Sequence, residues 1–276
     1  MIKLIKNYLI ILKIFSLVFL LSNCSSTKSN KDIPQLSDKE IYSKGLALFE
    51  KGNFSKATSE FDNVFLNYPF SSLSSKSEIM SAYSLYQNNE IAKAVTKLSS
   101  YIELNPKGEL TEYAHYLLAM CYYSQVSKEN RDPGASIKSL NYFKLIITKY
   151  PKSKYAKDAK LKIHFLKNML AKNELNIGKF YLRKGAPASS IKRFKSILKD
   201  YQNTSVIPET LYRLSEGLLI LGLKDEAIKS TALLDYNFPN NNWTKLSKNL
   251  IKNKSELNQK EDSQFSIINY FKDFFE

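Results

Sequence analysis

Residues 45–69 read GLALFEKGNFSKATSEFDNVFLNYP, and residues 82–106 read AYSLYQNNEIAKAVTKLSSYIELNP. Laid over one another, they share a ladder. Gly45, Ala57, Phe61 and Pro69 are spaced 12, 4 and 8, and so are Ala82, Ala94, Leu98 and Pro106. Ser215, Ala227, Thr231 and Pro239 repeat the spacing, and Gly178, Ser190, Phe194 and Gln202 repeat it with glutamine in place of proline. Ser139 and Phe143 before Pro151 fit a further copy whose first helix is displaced by inserted residues. The spacing has a physical meaning. A small residue on a first helix lets a second helix approach closely. A small residue and a bulky one four apart then share a face of that second helix. The proline ends it, because it cannot continue the hydrogen-bond ladder.

Four copies at one spacing identify a tetratricopeptide-repeat (TPR) array, and the fold expected is an all-α solenoid of about five helix pairs over residues 37–246. Local signals agree. Ser37-Asp38-Lys39-Glu40 is a capping box. Lys51-Gly52-Asn53-Phe54, Asn88-Asn89-Glu90 and the stretch Leu221 to Ala227 read as turns between paired helices. Asp132-Pro133 reads as an N-cap followed by proline at the first helical position. Two irregularities can be counted. Ala119 to Ser139 is 20 residues where the ladder needs 12, which enlarges a loop near residues 126–133. Pro151 to Gly178 is 27 where other copies have 13, which adds about four helical turns between 152 and 171. Enlarged segments of a solenoid often lie on binding faces.

Composition fits this reading. Eight Gly and eight Pro in 276 residues argue against a many-stranded β fold. The net charge of +15 raises nucleic acid or anionic lipid as a partner, but only Arg131, Arg183, Arg193 and Arg213 among 41 basic residues are arginine. Phosphate and base readers favour the guanidinium fork. With no basic cluster, no nucleic-acid site is expected.

At the N-terminus, Lys3, Lys6 and Lys13 with no acidic residue precede and interrupt an apolar run ending at Leu21. This is the form of an export signal over residues 1–23. Lys13 leaves the uninterrupted run too short to span a bilayer, which takes about 20 apolar residues. Leu21-Ser22-Asn23-Cys24 resembles the bacterial lipobox, so Cys24 is the expected lipid-attachment residue. Ser25 after it resembles lipoproteins sent to the outer membrane. Residues 24–36 read as a polar, lipid-anchored tether. Residues 247–276 read as a Lys-rich segment and then an amphipathic helix with Phe265, Ile268, Phe271 and Phe275 on one face, capping the array.

Catalytic signatures are missing: no HExxH, no phosphate-cradling glycine loop and no GxSxG. His115 and His164 lie 49 residues apart, and His164 reads as a packed side chain. Cys121 reads as a small buried hydrophobe. No enzyme, no metal and no cofactor is expected.

Gly52-Asn53-Phe54, Phe61 and Tyr68-Pro69-Phe70, then Arg131-Asp132-Pro133 in the enlarged loop, resemble the BamD (ComL) family. So do residues 165–174 (FLKNMLAKNE) and Tyr181 with Arg183-Lys184-Gly185-Ala186. The resemblance covers about residues 38–246 and extends to the lipid site. It implies a non-enzymatic outer-membrane lipoprotein of the β-barrel assembly machine, facing the periplasm. It also implies partners: the last POTRA domain of the barrel subunit at the C-terminal repeats, unfolded outer-membrane proteins at the N-terminal repeats, and accessory lipoproteins. Tyr68, Pro69 and Phe70 are the implied substrate contacts. Arg193 and Arg183, flanking the turn Lys184-Gly185-Ala186-Pro187, are the implied partner contacts, since arginine suits a bidentate bond to a partner's carboxylate. Asn168 stands where the family usually has Asp, weakening any charge-based role there. Gln202 replaces a proline, which only loosens a turn. A pilus-assembly pilotin or a Tol-associated periplasmic factor is the second reading.

Overall fold

The computed structural model describes residues 36–126 and 132–253. Cys24, the signal and tether residues before Leu36, Arg131, and the stripe Phe265, Ile268, Phe271 and Phe275 all lie outside them. In chain order the helices are α1 (Asp38–Glu50), α2 (Phe54–Asn67), α3 (Ser74–Gln87), α4 (Ile91–Leu104) and α5 (Thr111–Ser124). Then come α6 (Gly134–Lys149), α7 (Ala156–Arg183), α8 (Pro187–Asp200), α9 (Ile207–Ile220) and α10 (Lys224–Asn237). Residues 242–253 are helical as well. Each helix packs on the one before and the one after it, and α3 and α7 also touch the first helices of the following pairs, α5 and α9. The described residues form an all-α array of five pairs.

The ladder is the contact line of each pair. Ala57, Ala82, Ala94, Ala119, Ser139, Ser190, Ser215 and Ala227 are fully buried. A Cβ built on Gly45 would lie 2.8 Å from the Phe61 ring, and one on Gly178 would lie 2.3 Å from the Phe194 ring. Both glycines therefore make room for an aromatic residue of the partner helix. Ser215 answers differently: its hydroxyl donates to the Ala227 carbonyl and meets Thr231 Oγ1 at 3.1 Å. The ladder does not reveal a second small position, eight residues after each repeat end. Ser77, Ala114, Ala159, Thr210 and Ser247 occupy it, and all five are fully buried.

Turn chemistry follows from backbone shape. Gly52, Gly185 and Gly222 have φ of 74°, 71° and 77°, and Asn89 has φ of 60° in the same register. Glycine pays no Cβ penalty there, and asparagine is the usual substitute. The chain then closes back on the first helix, as when Asn53 N–H donates to the Leu48 carbonyl at 2.9 Å. The capping box is present: Ser37 accepts from the Glu40 N–H, and Glu40 accepts from the Ser37 N–H at 2.7 Å.

Both insertions take definite form. α7 is 28 residues long where α3, α5 and α9 have 14, so the 14 extra residues extend one continuous helix. In the other insertion, residues 125–133 link α5 to α6 where three residues, 88–90, link α3 to α4. The rest lengthens α6 to 16 residues. The Asp132-Pro133 reading shifts by one position. Pro133 is the N-cap, and Asp132 Oδ1 accepts from the Gly134 N–H at 2.8 Å. Gln202 leaves its turn intact: Tyr201 has φ −132° and ψ 36°, near the −125° and 56° of Asn105 before Pro106.

Packing continues past residue 246, where the ladder stops. Trp243, Leu250 and Ile251 pack on the C-terminal core, and Ser247 Oγ meets Thr231 Oγ1 at 2.6 Å. The first part of the Lys-rich segment is thus a docked helix. Among the described residues, no helix is long and apolar enough to cross a membrane.

Candidate interaction surfaces

The N-terminal surface is built where α2 ends. Tyr68 is its C-cap, donating its N–H to the Val64 carbonyl and its hydroxyl to the Leu36 carbonyl at 2.7 Å. The ring joins the partly buried rim of the first core. With Tyr68 held, Pro69 and Phe70 turn outward, and Phe70 is fully exposed. Leu66 is exposed beside them in sequence. Phe70 thus presents a solvent-exposed ring just past the end of α2.

Between α2 and α4 opens a crevice of about 680 Å³, with Glu78 and Leu85 of α3 on its wall. The sequence reading did not single it out. Lys97 pairs with Asp62 across it at 2.8 Å, and Lys93 pairs with Glu90. Hydroxyls of Ser55, Thr58, Ser59, Thr96 and Ser100 line the rest.

At the C-terminal end the two chosen arginines separate. Arg183 is exposed in the last turn of α7 and lines a cleft of about 200 Å³ with Lys179, Arg213 and Glu216. Arg193, on α8, lines another of about 400 Å³ with Tyr181, Ser189 and Lys192. Arg193 already has a carboxylate: its Nη1 donates to Glu174 Oε2 at 3.0 Å and to Oε1 at 3.3 Å. Arg193 thus has an intramolecular partner, and its side chain stays partly exposed. α7 packs on α8, and the pair forms across that contact.

Two further residues matter that periodicity did not mark. Arg213 bonds Glu216 at 2.8 Å and lies over the rings of Tyr212 and Trp243, at 5.0 and 5.6 Å. It fastens helical residues 242–253 to α9 through cation–π contact. Asn168 Oδ1 accepts from the Ser205 N–H at 2.9 Å and from its hydroxyl at 3.1 Å. The asparagine therefore ties α7 to the turn before α9. An aspartate could make the same two contacts, since both side chains offer the oxygen.

His164 is exposed, a correction to its expected packing, and its Nε2 lies 3.1 Å from Asn168 Nδ2. His115 is buried, and burial, with Lys149 adding to it, holds its pKa below the ordinary histidine value. Cys121 is fully buried, and burial pushes its thiol up to about 12. A thiol so protonated is a poor nucleophile. Among the described residues no group of three or more His, Cys, Asp or Glu side chains could hold a metal ion.

The family described as "Outer membrane lipoprotein" (YfiO) matches residues 34–234. The outer membrane protein assembly factor BamD of Rickettsia prowazekii is 39% identical over 233 residues, covering 84% of this chain and 92% of its own. The chain belongs to the YfiO/BamD family. BamD of Caulobacter vibrioides is 37% identical over 203 residues, covering 74% of this chain and 67% of its own. BamD of Vibrio cholerae is 27% identical, covering 79% and 94%. Among solved structures, the TPR2AB domain of yeast Sti1 in its pHSP90 complex is similar at a TM-score of 0.44. It is 14% identical and covers 78% of this chain and 83% of that one. The match to the BamD family spans α1 to most of α10, so it takes in Phe70, the crevice, Arg183 and Arg193 together.

Proposed function

We propose that this protein is a non-enzymatic scaffold of outer-membrane protein assembly, held on the periplasmic face of the outer membrane by lipid on Cys24. In this reading the C-terminal repeats dock a POTRA-bearing barrel subunit, and the N-terminal repeats receive unfolded outer-membrane proteins through Tyr68, Pro69 and Phe70. Accessory lipoproteins complete the assembly. The observation that carries the reading is the family match across residues 34–234, with relatives named as assembly factors. An array of packed pairs with an exposed Phe70 after its first pair and an exposed Arg183 in its fourth is suited to holding two proteins at once.

Purification of the membrane-extracted protein under mild detergent tests the reading. The barrel subunit should co-purify; recovery of pilus-assembly or Tol proteins instead would overturn it. Arg193→Ala should weaken binding to the purified periplasmic fragment of that subunit while helicity is unchanged. Its ion pair is part-exposed, so the change should cost no more than about 1 kcal/mol of stability. Unaltered affinity at two salt concentrations would remove Arg193 from the interface.

A further inference from the structure

Glu78 sits on α3 at the wall of the α2–α4 crevice and is only 6% exposed. Its neighbours in the crevice are paired: Asp62 with Lys97, and Glu90 with Lys93 and with Asn88 Nδ2. Glu78 makes no hydrogen bond and no ion pair among the described residues; Lys97 acts on it only through space. The crevice therefore holds three carboxylates and two ammonium groups, an excess of one negative charge in a chain whose net charge is +15. A partly desolvated carboxylate without a protein donor is costlier to keep ionised than one in open water, and a cation seated on it from outside would offset that cost. The crevice is open to solvent along its rim, and its volume falls in the range of ligand sites. Its hydroxyls are free to accept as well: those of Thr58 and Thr96 donate to their own helix at Phe54 and Ala92, leaving lone pairs toward a donor.

We propose that this crevice binds a basic side chain, the ammonium of lysine or the guanidinium of arginine, carried on an extended polypeptide segment and seated on Glu78. Ser55, Ser59 and Ser100 bond the segment's backbone. The inference rests on the reading that the N-terminal repeats receive polypeptide, and it adds a charge requirement to that site.

The test uses the mature chain, the peptide acetyl-Thr-Ser-Thr-Lys-Thr-Ser-Thr-amide, the same peptide with norleucine for lysine, and putrescine as a free cation. Binding is followed by amide shifts of ¹⁵N-labelled protein. The lysine peptide should move amides of α2, α3 and α4. The norleucine peptide and the Glu78→Gln variant should each bind about tenfold or more weakly, as expected for one lost hydrogen bond to a charged group. Putrescine should displace the lysine peptide from the crevice without matching its affinity. Equal binding of both peptides, or unchanged binding by Glu78→Gln with its fold intact by circular dichroism, would overturn the inference. An affinity for putrescine equal to that of the lysine peptide would make this a small-cation site and would also overturn it. If an unfolded barrel protein binds while neither peptide does, the inference fails and the scaffold reading stands. If the barrel protein does not bind either, both fail.

Discussion

A buried acid such as Glu78 leaves a signature in stability as well as binding. Burial raises its pKa above the ordinary 4.5, opposed by Lys97 and assisted by Asp62. The sign follows from linkage: the folded state holds this proton more tightly than the unfolded chain, so an ionised Glu78 disfavours folding at neutral pH. That penalty fades as pH falls through the raised pKa and is gone below the unfolded value. Glu78→Gln should therefore melt higher than the wild type at pH 7, with the gain shrinking to nothing near pH 4 in calorimetry. A constant gain across that range would show that the charge is not the cause. Asn168 gives a second test on the residue scale. Its oxygen accepts two bonds from Ser205, and its Nδ2 donates to the His164 carbonyl at 3.0 Å. Asn168→Ala should cost about 1 kcal/mol or more in denaturant unfolding. Asn168→Asp should cost clearly less, because the acceptor oxygen remains. Equal losses would assign the effect to the amide donor.

At the scale of the helix pair, close approach and side-chain bulk trade against each other. Gly45 faces Phe61 and Gly178 faces Phe194, while Ala82 is matched by Leu98 in its repeat. Gly178→Ala drives a methyl to 2.3 Å from the Phe194 ring, which must shift within a filled core. Overpacking of this kind costs about 1–3 kcal/mol. The double variant Gly178→Ala, Phe194→Leu copies the Ala82–Leu98 match and should recover most of the loss in thermal melts. No recovery would mean that the α7–α8 contact is set elsewhere. Ala57→Leu and Ala94→Leu, at fully buried positions, should lower the melting temperature in the same way. They should weaken partner binding only through that loss.

On the scale of the whole molecule, the array is a one-dimensional stack in which each pair touches its neighbours. α7, the first helix of the fourth pair, is twice the length of its counterparts and continuous, and it packs on α6, α8 and α9. The remaining question at this scale is attachment. The order of basic residues, apolar run and Leu21-Ser22-Asn23-Cys24 predicts a mature chain starting at an acylated Cys24. Intact mass of the membrane-extracted protein should show loss of residues 1–23 and gain of acyl chains. Cys24→Ser should leave the protein unprocessed or released from the membrane. An unmodified Cys24 in the wild type would end the lipoprotein reading.

The sequence by itself determined the number of helix pairs, their small-residue contact line, the capping box at Ser37 and the size of both insertions. These are local or strictly periodic properties, written at spacings of 12, 4 and 8 that a single chain displays without its fold. It also carries the motifs on which the resemblance to the BamD family rests. Only the tertiary structure decided that Arg193 is already paired with Glu174, 19 residues away, and that Asn168 reaches Ser205 across 37. It also decided that Glu78 faces an open crevice with no bond among the described residues, and that residues 242–253 dock beyond the end of the ladder. Such contacts depend on which non-repeating side chains stacking brings face to face. A helical period tells which side of a helix is buried, but not what stands opposite a polar residue on its rim.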